Sequence, residues 1–282
     1  MKLKIVKGTR DLHGEDLERF QFLEEKAKEV FSLYGYEELR TPVLEKTELF
    51  AHGVGEDTDI VGKEMFLLED RRGRSLAMRP EMTASVVRSV ITGNHMQQAN
   101  YRKFYYVGPM FRYEQPQKGR YRQFHQIGAE YFGVSTPDAD AEMLQMLRHY
   151  FNAINLKAVS FQLNTIGCQK PECRPAFKKQ LINFLEANRA KLCENCQRRM
   201  DTNPLRVLDC KEKSCQAITA DAPKIYEHVC NECSTHFAEL KAILDDHGVV
   251  YELNEKLVRG LDYYSRTVFE VYSANLGAQS AA

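Results

Sequence analysis

The sequence carries no excess of charge of either sign: Lys plus Arg and Asp plus Glu each number 39 in 282 residues. Capture of nucleic acid by overall charge is excluded, so any such partner must be met by a local basic patch. Long apolar runs are missing too. The N-terminal stretch from Met1 to Arg10 holds no apolar segment of signal-peptide length, and no later stretch reaches transmembrane length. A cytoplasmic chain without a membrane partner is therefore expected. Cysteine is absent from the first 167 residues and from everything after Cys233. All eight lie between Cys168 and Cys233, and in a reducing compartment such clustering points to metal ligation rather than disulfides.

With 43% hydrophobic and 28% charged residues, the composition is that of a globular chain long enough for one large domain or a domain with a smaller companion. Two strand-like runs, Phe104–Glu114 and Gln123–Phe132, flank a polar loop and predict a hairpin. Side chains alternate along a strand, so Arg112 and Glu114 share one face of the first run. Gln126, Gly128 and Glu130 share one face of the second. Gln and Glu around a Gly suggest a polar pocket floor rather than a core face, with Gly128 leaving room for a ligand. The alternative is an exposed face of an ordinary hairpin. Lys118, Arg120 and Arg122 give the connecting loop a basic tip, suited to phosphate or simply solvated.

Ahead of the hairpin, Asp11–Gly14 starts a helix with apolar positions Leu17, Phe20, Ala27, Phe31 and Tyr34, and Gly35 stops it. Extended chain through Thr41 and Pro42 follows. Met78-Arg79-Pro80-Glu81-Met82-Thr83 places Pro80 in the first turn of a helix that ends near Gly93. Glu81 there reads as a surface acid favoured by the helix dipole. After the hairpin, Ser135–Asp138 caps another helix and Ala158–Asn164 reads as a strand. The segment 167–246 is cysteine-rich and helical in pattern, and strands resume at Val249–Leu253 and Thr267–Tyr272. An inserted domain is expected, dividing the chain into 1–166, 167–246 and 247–282. Within the insert, Cys193-x-x-Cys196 and Cys230-x-x-Cys233 are spaced as zinc knuckles. Cys168, Cys173, Cys210 and Cys215 offer a second set, or exchange partners with the first. Eight buried thiols acting as small hydrophobes are the alternative.

Phe-Arg-x-Glu, a loop, then Arg-Tyr-Arg-Gln-Phe-His-Gln-Ile-Gly resembles motif 2 of class II aminoacyl-tRNA synthetases in its histidyl version. Leu257-Val-Arg-Gly-Leu-Asp-Tyr-Tyr-Ser-Arg-Thr-Val-Phe-Glu270, on its own a tight turn into a strand, resembles the histidine-specific string of histidyl-tRNA synthetases. The helix–Gly–strand segment with Thr41-Pro42 resembles motif 1, which builds that family's dimer interface. The resemblance implies an α+β fold: an antiparallel sheet flanked by helices, with an inserted, mainly helical, cysteine-rich domain. It implies a histidine–tRNA ligase, active in protein biosynthesis on L-histidine, ATP with Mg and tRNA(His), and a homodimer.

The roles it implies are specific. Glu81, Thr83 and Gln126 would surround the histidine ammonium group. Glu130 and Tyr264, with Tyr263 beside them, would read the imidazole. Arg112 would bind the α-phosphate, Arg259 would be a second catalytic cation there, and Glu114 and Arg120 would lie at the ATP end. The basic loop would meet ATP or the tRNA acceptor end. The resemblance also marks what does not occur before Ala282: a third motif and an anticodon-binding domain, which implies a partial chain. A regulatory subunit of ATP phosphoribosyltransferase, sharing the fold and sensing histidine, is the alternative. A zinc-stabilised nucleic-acid-binding module would account for the cysteines alone.

Overall fold

Helix α1 spans Gly14–Leu33, as its polar start and apolar spacing predict, and buries Ala27, Val30 and Phe31. Its end falls at Gly35, whose φ of +77° is the left-handed conformation that glycine reaches without strain. The computed structural model describes residues 3–54, 60–97, 99–115, 120–157, 159–258 and 264–273. The chain divides into two units, one of Met1–Ser135 with Glu142–Lys157, the other of Thr136–Ala141 with Ala158–Ala282.

In the first unit, β1 (Glu37–Glu38) and β2 (Leu44–Lys46) lead to α2 (Thr47–Val54), then to β3 (Phe66–Glu69) and β4 (Ser75–Met78). Helix α3 covers Thr83–Thr92. The hairpin follows as β5 (Arg102–Phe111) and β6 (Gln123–Phe132), antiparallel from Arg102 opposite Phe132 to Phe111 opposite Gln123. Aromatic and β-branched residues at Phe104, Tyr105, Tyr106 and Val107 suit this pleated, half-buried surface. β1 adds a parallel edge to β5, while β2, β4 and β3 form a separate antiparallel sheet. The first strand of the hairpin ends three residues sooner than its pattern predicts. The Tyr113 N–H donates to the Glu64 carbonyl at 2.6 Å, drawing the backbone out of the ladder.

The second unit holds β7 (Val159–Thr165), with α4 (Pro137–Ala153) before it divided between the two units at Ala141–Glu142. Helices α5 (Arg174–Ala187), α6 (Glu194–Thr202), α7 (Lys213–Thr219) and α8 (Asn231–Asp246) come next, then β8 (Tyr251–Leu253) and β9 (Thr267–Ser273). β7 is central in this sheet, parallel to β8 and antiparallel to β9. Helices α5, α6 and α7 share one buried cluster: Phe177, Leu181, Cys196, Cys215 and Ile225 lie in it with Ile166, just after β7, and Val268 of β9. The mixed α+β architecture with antiparallel pairing agrees with the sequence expectation.

The core beneath the hairpin joins Met82, Val86 and Val90 to Phe104, Tyr106 and Met110, with Phe124 and Phe132 against it. The face bearing Gln126, Gly128 and Glu130 is thus apolar at its ends and polar in its middle. The space above Gly128 belongs to protein, contrary to the expectation of ligand room. A Cβ there would lie 2.3 Å from the ring of Tyr106, the residue paired across the hairpin. Gly128→Ala is therefore expected to destabilise the fold by about 2 kcal/mol, the scale of overpacking a core. Urea unfolding checks it: a midpoint unchanged from the parent would mean the ring moves aside freely.

Candidate active site

The start of α3 and the middle of β6 meet through side chains. Glu81 is 6% exposed and caps the helix: one carboxylate oxygen accepts the Thr83 N–H at 2.8 Å, the other the Ala84 N–H at 2.9 Å. Burial raises its pKa, and those N–H donors partly offset the effect. Thr83 donates its hydroxyl to Glu130 Oε1 at 2.7 Å, and Tyr106 Oη donates to the same oxygen at 3.5 Å. Burial pushes the Glu130 carboxyl up to about 7, and the nearby Glu81 charge adds to the rise. Two carboxylates joined by one threonine form an acidic centre in which burial favours the protonated form of each. Each carboxylate oxygen keeps acceptor capacity, and the Thr83 hydroxyl oxygen can still accept. A ligand offering N–H donors would satisfy all three.

Arg112 is held a short way along the chain. Its Nε donates to the Pro80 carbonyl at 2.9 Å, and the guanidinium lies 5.1 Å from the centre of the Phe124 ring. Burial lowers its pKa, and Glu114, 3.9 Å away, opposes the shift. Arg120 donates to the other Glu114 oxygen at 3.1 Å. Glu114 thus sits between two arginines and orders both. Arg122, expected at a basic tip, stacks on Tyr113 at 4.0 Å and packs at Gly8, so it serves the loop's own structure. Gln126 stands opposite Gly108 in the hairpin.

In the second unit the eight thiols form two groups, Cys168, Cys173, Cys230, Cys233 and Cys193, Cys196, Cys210, Cys215. Within each, the sulfurs all lie within 4.8 Å of one another. The first-choice set from the sequence, Cys193, Cys196, Cys230 and Cys233, is corrected. Each knuckle faces an x4 pair instead, because the chain returns to Cys193–Cys196 through Cys210 and reaches Cys230 only beside Cys168.

Comparison with known proteins adds to this geometry. A model of the family described as histidyl-tRNA synthetase matches residues 8–282. The chain belongs to that family. It is 54% identical over 281 residues to the histidine–tRNA ligase of Maridesulfovibrio salexigens, covering 99% of this chain and 68% of that one. To the histidine–tRNA ligase of Geobacter sulfurreducens it is 51% identical over 276 residues, covering 98% of this chain and 66% of that one. The chain thus spans about two thirds of the length of the curated relatives it matches. The crystal structure of apo histidyl-tRNA synthetase from S. aureus is similar with a TM-score of 0.76 at 35% identity, over 96% of this chain and 61% of that one. An ATP phosphoribosyltransferase regulatory subunit/histidyl-tRNA synthetase from Bacillus halodurans C shares the fold, with a TM-score of 0.70 at 20% identity over 98% of this chain and 74% of that one.

Among the residues expected to act in this family, Glu81, Thr83, Arg112, Glu114, Arg120, Gln126 and Glu130 all belong to the first unit. Arg259, Tyr263 and the loop residue Lys118 lie outside the described residues. Tyr264 belongs to the second unit, where it packs against the cluster around Phe177 and its carbonyl accepts from Arg174 Nη2 at 2.6 Å. Three residues escaped the sequence reading. Tyr106 reaches Glu130 only because residue 128 is glycine. Arg79, 4% exposed, donates to the carbonyls of Thr41 at 2.7 Å and Pro109 at 3.0 Å and so fixes the strand ends beside Pro80 and Glu81. Arg174 fixes Gly167 and Tyr264 in the same way. A buried arginine bonded to carbonyls leaves no mark in a sequence pattern.

A pH dependence of stability follows from Glu130. Its folded pKa of about 7 exceeds the ordinary 4.5, so the folded chain holds the proton more tightly. The resulting stability is fully present below pH 4.5 and is lost as pH rises through about 7. Glu130→Gln removes the ionisable group and keeps an acceptor for Thr83. At pH 8 it is expected to be more stable than the parent by on the order of 2 kcal/mol, with the advantage gone near pH 4.5. Urea unfolding at the two pH values checks this, and a difference independent of pH would remove Glu130 as its source.

Proposed function

We propose that the chain carries the histidine- and ATP-facing part of a histidine–tRNA ligase, which joins the histidine carboxylate to the α-phosphate of ATP and then charges tRNA(His). The observation that carries the reading is the Glu81–Thr83–Glu130 network beside a pre-positioned Arg112. Family membership and relatives named histidine–tRNA ligase support it.

In this reading the first unit presents acceptors to an amino acid that is rich in N–H donors. Glu81, Thr83 and Gln126 take the ammonium group, and Glu130 takes an imidazole N–H. Tyr263 and Tyr264 are proposed for the same ligand on the resemblance. A site built from buried polar groups rejects amino acids that leave them unpaired, by roughly 10⁴–10⁵ where the match is complete. Activation then needs little covalent work from the protein. It needs two anions held together and the charge growing on phosphorus neutralised. Arg112 has its Nε on Pro80 and Nη1 turned to Glu114, so the fork is held in place before the nucleotide arrives, with further N–H donors for phosphate oxygens. Glu114 aligns Arg112 and Arg120 at the ATP end. Arg259 is proposed as the second cation at the α-phosphate.

Magnesium accompanies ATP in this chemistry and neutralises phosphate charge. Glu114, with a cation on either side, suits alignment of the arginines more than ligation of a metal, and no step here depends on it. We further propose a homodimer through the segment around Thr41 and Pro42, and an inserted domain at 167–246 between the catalytic portions 1–166 and 247–282. Among the described residues no helix is long and apolar enough to cross a membrane. The regulatory-subunit reading is the weaker one, since Arg112, Glu114 and Arg120 all stand and engage one another.

The test uses the full-length gene product. ATP–pyrophosphate exchange should require histidine, and Arg112→Gln should slow it by two or more orders of magnitude, the scale of one positioned donor lost at a developing charge. Histidine affinity should fall far less than the exchange rate, because Arg112 is assigned to the phosphate and not to the amino acid. Exchange driven equally by other amino acids, or unchanged by Arg112→Gln, would contradict the assignment.

A further inference from the structure

We infer that the chain binds two structural zinc ions, one inside the sequence span of the other. The outer site is Cys168, Cys173, Cys230 and Cys233, and the inner site is Cys193, Cys196, Cys210 and Cys215. This stands apart from the ligase reading and depends on different residues.

The sulfur spacing within each group fits a tetrahedral metal site. Cys168 Sγ lies 3.8 Å from Cys230 Sγ, and Cys193 Sγ lies 3.9 Å from Cys210 Sγ. Zinc–thiolate bonds of about 2.3 Å in tetrahedral array put neighbouring sulfurs about 3.8 Å apart. All eight cysteines are free. Four thiols facing one another have no reason to gather as hydrophobes, because a buried thiol packs equally well against aliphatic carbon.

Backbone donors surround the sulfurs as they surround bound thiolates. The N–H groups of Cys168 and Cys230 both point at Cys173 Sγ, at 3.2 and 3.3 Å, and the Cys193 N–H points at Cys215 Sγ at 3.2 Å. Such contacts favour the charged form of sulfur and orient it towards a metal. The two knuckles are built alike. Cys193 and Cys230 are the N-cap residues of α6 and α8, with φ/ψ of −66°/157° and −64°/162°, and Cys196 and Cys233 follow in the first turn. The positive ends of both helices thus face a cluster that carries net negative charge when metallated. Gly167 completes the outer site: at φ +64° its missing Cβ leaves space that Cys173 Sγ occupies, since a Cβ would sit 2.7 Å from that sulfur.

Nesting divides the work. The outer ion ties the chain just after β7 to the start of α8, closing the helical segment at its two ends. The inner ion ties α6 to the chain around α7. Cys196, Cys210 and Cys215 lie in the buried cluster with Phe177 and Ile225, so the inner ion is anchored in that core.

Elemental analysis of untagged parent chain should give two zinc per chain. After stripping under reducing conditions, cobalt added alone should produce thiolate-to-cobalt absorption that saturates at two equivalents. Cys196→Ser and Cys233→Ser should each leave one ion, and the double variant none. If the sets were instead Cys193, Cys196, Cys230, Cys233 and the four remaining cysteines, the double variant would keep one ion, and the assignment would be overturned. Cadmium-113 NMR of the parent reads the sets without substitution, through couplings from each metal to its four cysteines, and so decides the matter if a variant fails to fold. One ion per chain, no metal with eight reactive thiols in the folded parent, disulfides, or iron with inorganic sulfide would each overturn the proposal.

Discussion

The hydrogen bond from Thr83 to Glu130 joins two pieces of chain that are otherwise far apart in sequence, the start of α3 and the middle of β6. Much of the first unit depends on it. Glu81 caps the helix that carries Thr83, so helix, cap and strand are one polar unit set within an apolar core. Phe124 and Phe132 seal that strand face at either end, and Met82 and Val86 seal it from the helix side. Placing two carboxylates there costs stability, because desolvation favours their neutral forms. A core made only for stability would hold apolar residues at 81 and 130. The arrangement suits a ligand that brings its own donors, which restores the hydrogen bonds that burial has made valuable.

Around this centre the chain leaves little free to move. Tyr106 fills the space over Gly128, Arg79 fixes the strand ends next to Glu81, and Arg112 is held by Pro80, Phe124 and Glu114. Most of these contacts are with backbone carbonyls and rings, so they fix position while leaving the guanidinium of Arg112 its charge. Preorganisation of this kind is what electrostatic stabilisation of a transition state requires, since a cation already in place needs no reorganisation during reaction. In the second unit the same economy of means falls to sulfur. There the helical segment brings its eight thiols together in two clusters of four.

The strands and helices were legible where pattern dictates structure. The hairpin shows in its alternation and aromatic content, and α1 in its apolar spacing and closing glycine. The reach of Glu130 was legible in kind, since a strand face bearing Gln, Gly and Glu announces polarity. Its partners were not. Alternation says which side a residue faces but not what faces it, so the sequence suggested a ligand above Gly128 where the structure has Tyr106. Glu81 read as a surface acid of a first helical turn; the helix begins only at Thr83, and Glu81 ahead of it is buried with its carboxylate on the Thr83 and Ala84 N–H groups. Knuckle spacing revealed that cysteines pair, while which pairs meet depends on the path of α6 to α8. Arg79 and Arg174 bond to carbonyls, which every residue possesses, and no spacing rule marks such a site.

The central claim is that the Glu130 carboxylate, pushed towards its neutral form by burial, is held ready for the imidazole N–H of histidine. Carbon-13 NMR of the glutamate carboxyls, with Glu130 assigned by Glu130→Gln, measures its titration directly. Free chain should titrate at about 7. Saturating histidine should lower that value, because an N–H donor favours the ionised form. A Glu130 titration that histidine leaves unmoved, while histidine is bound, would contradict the account.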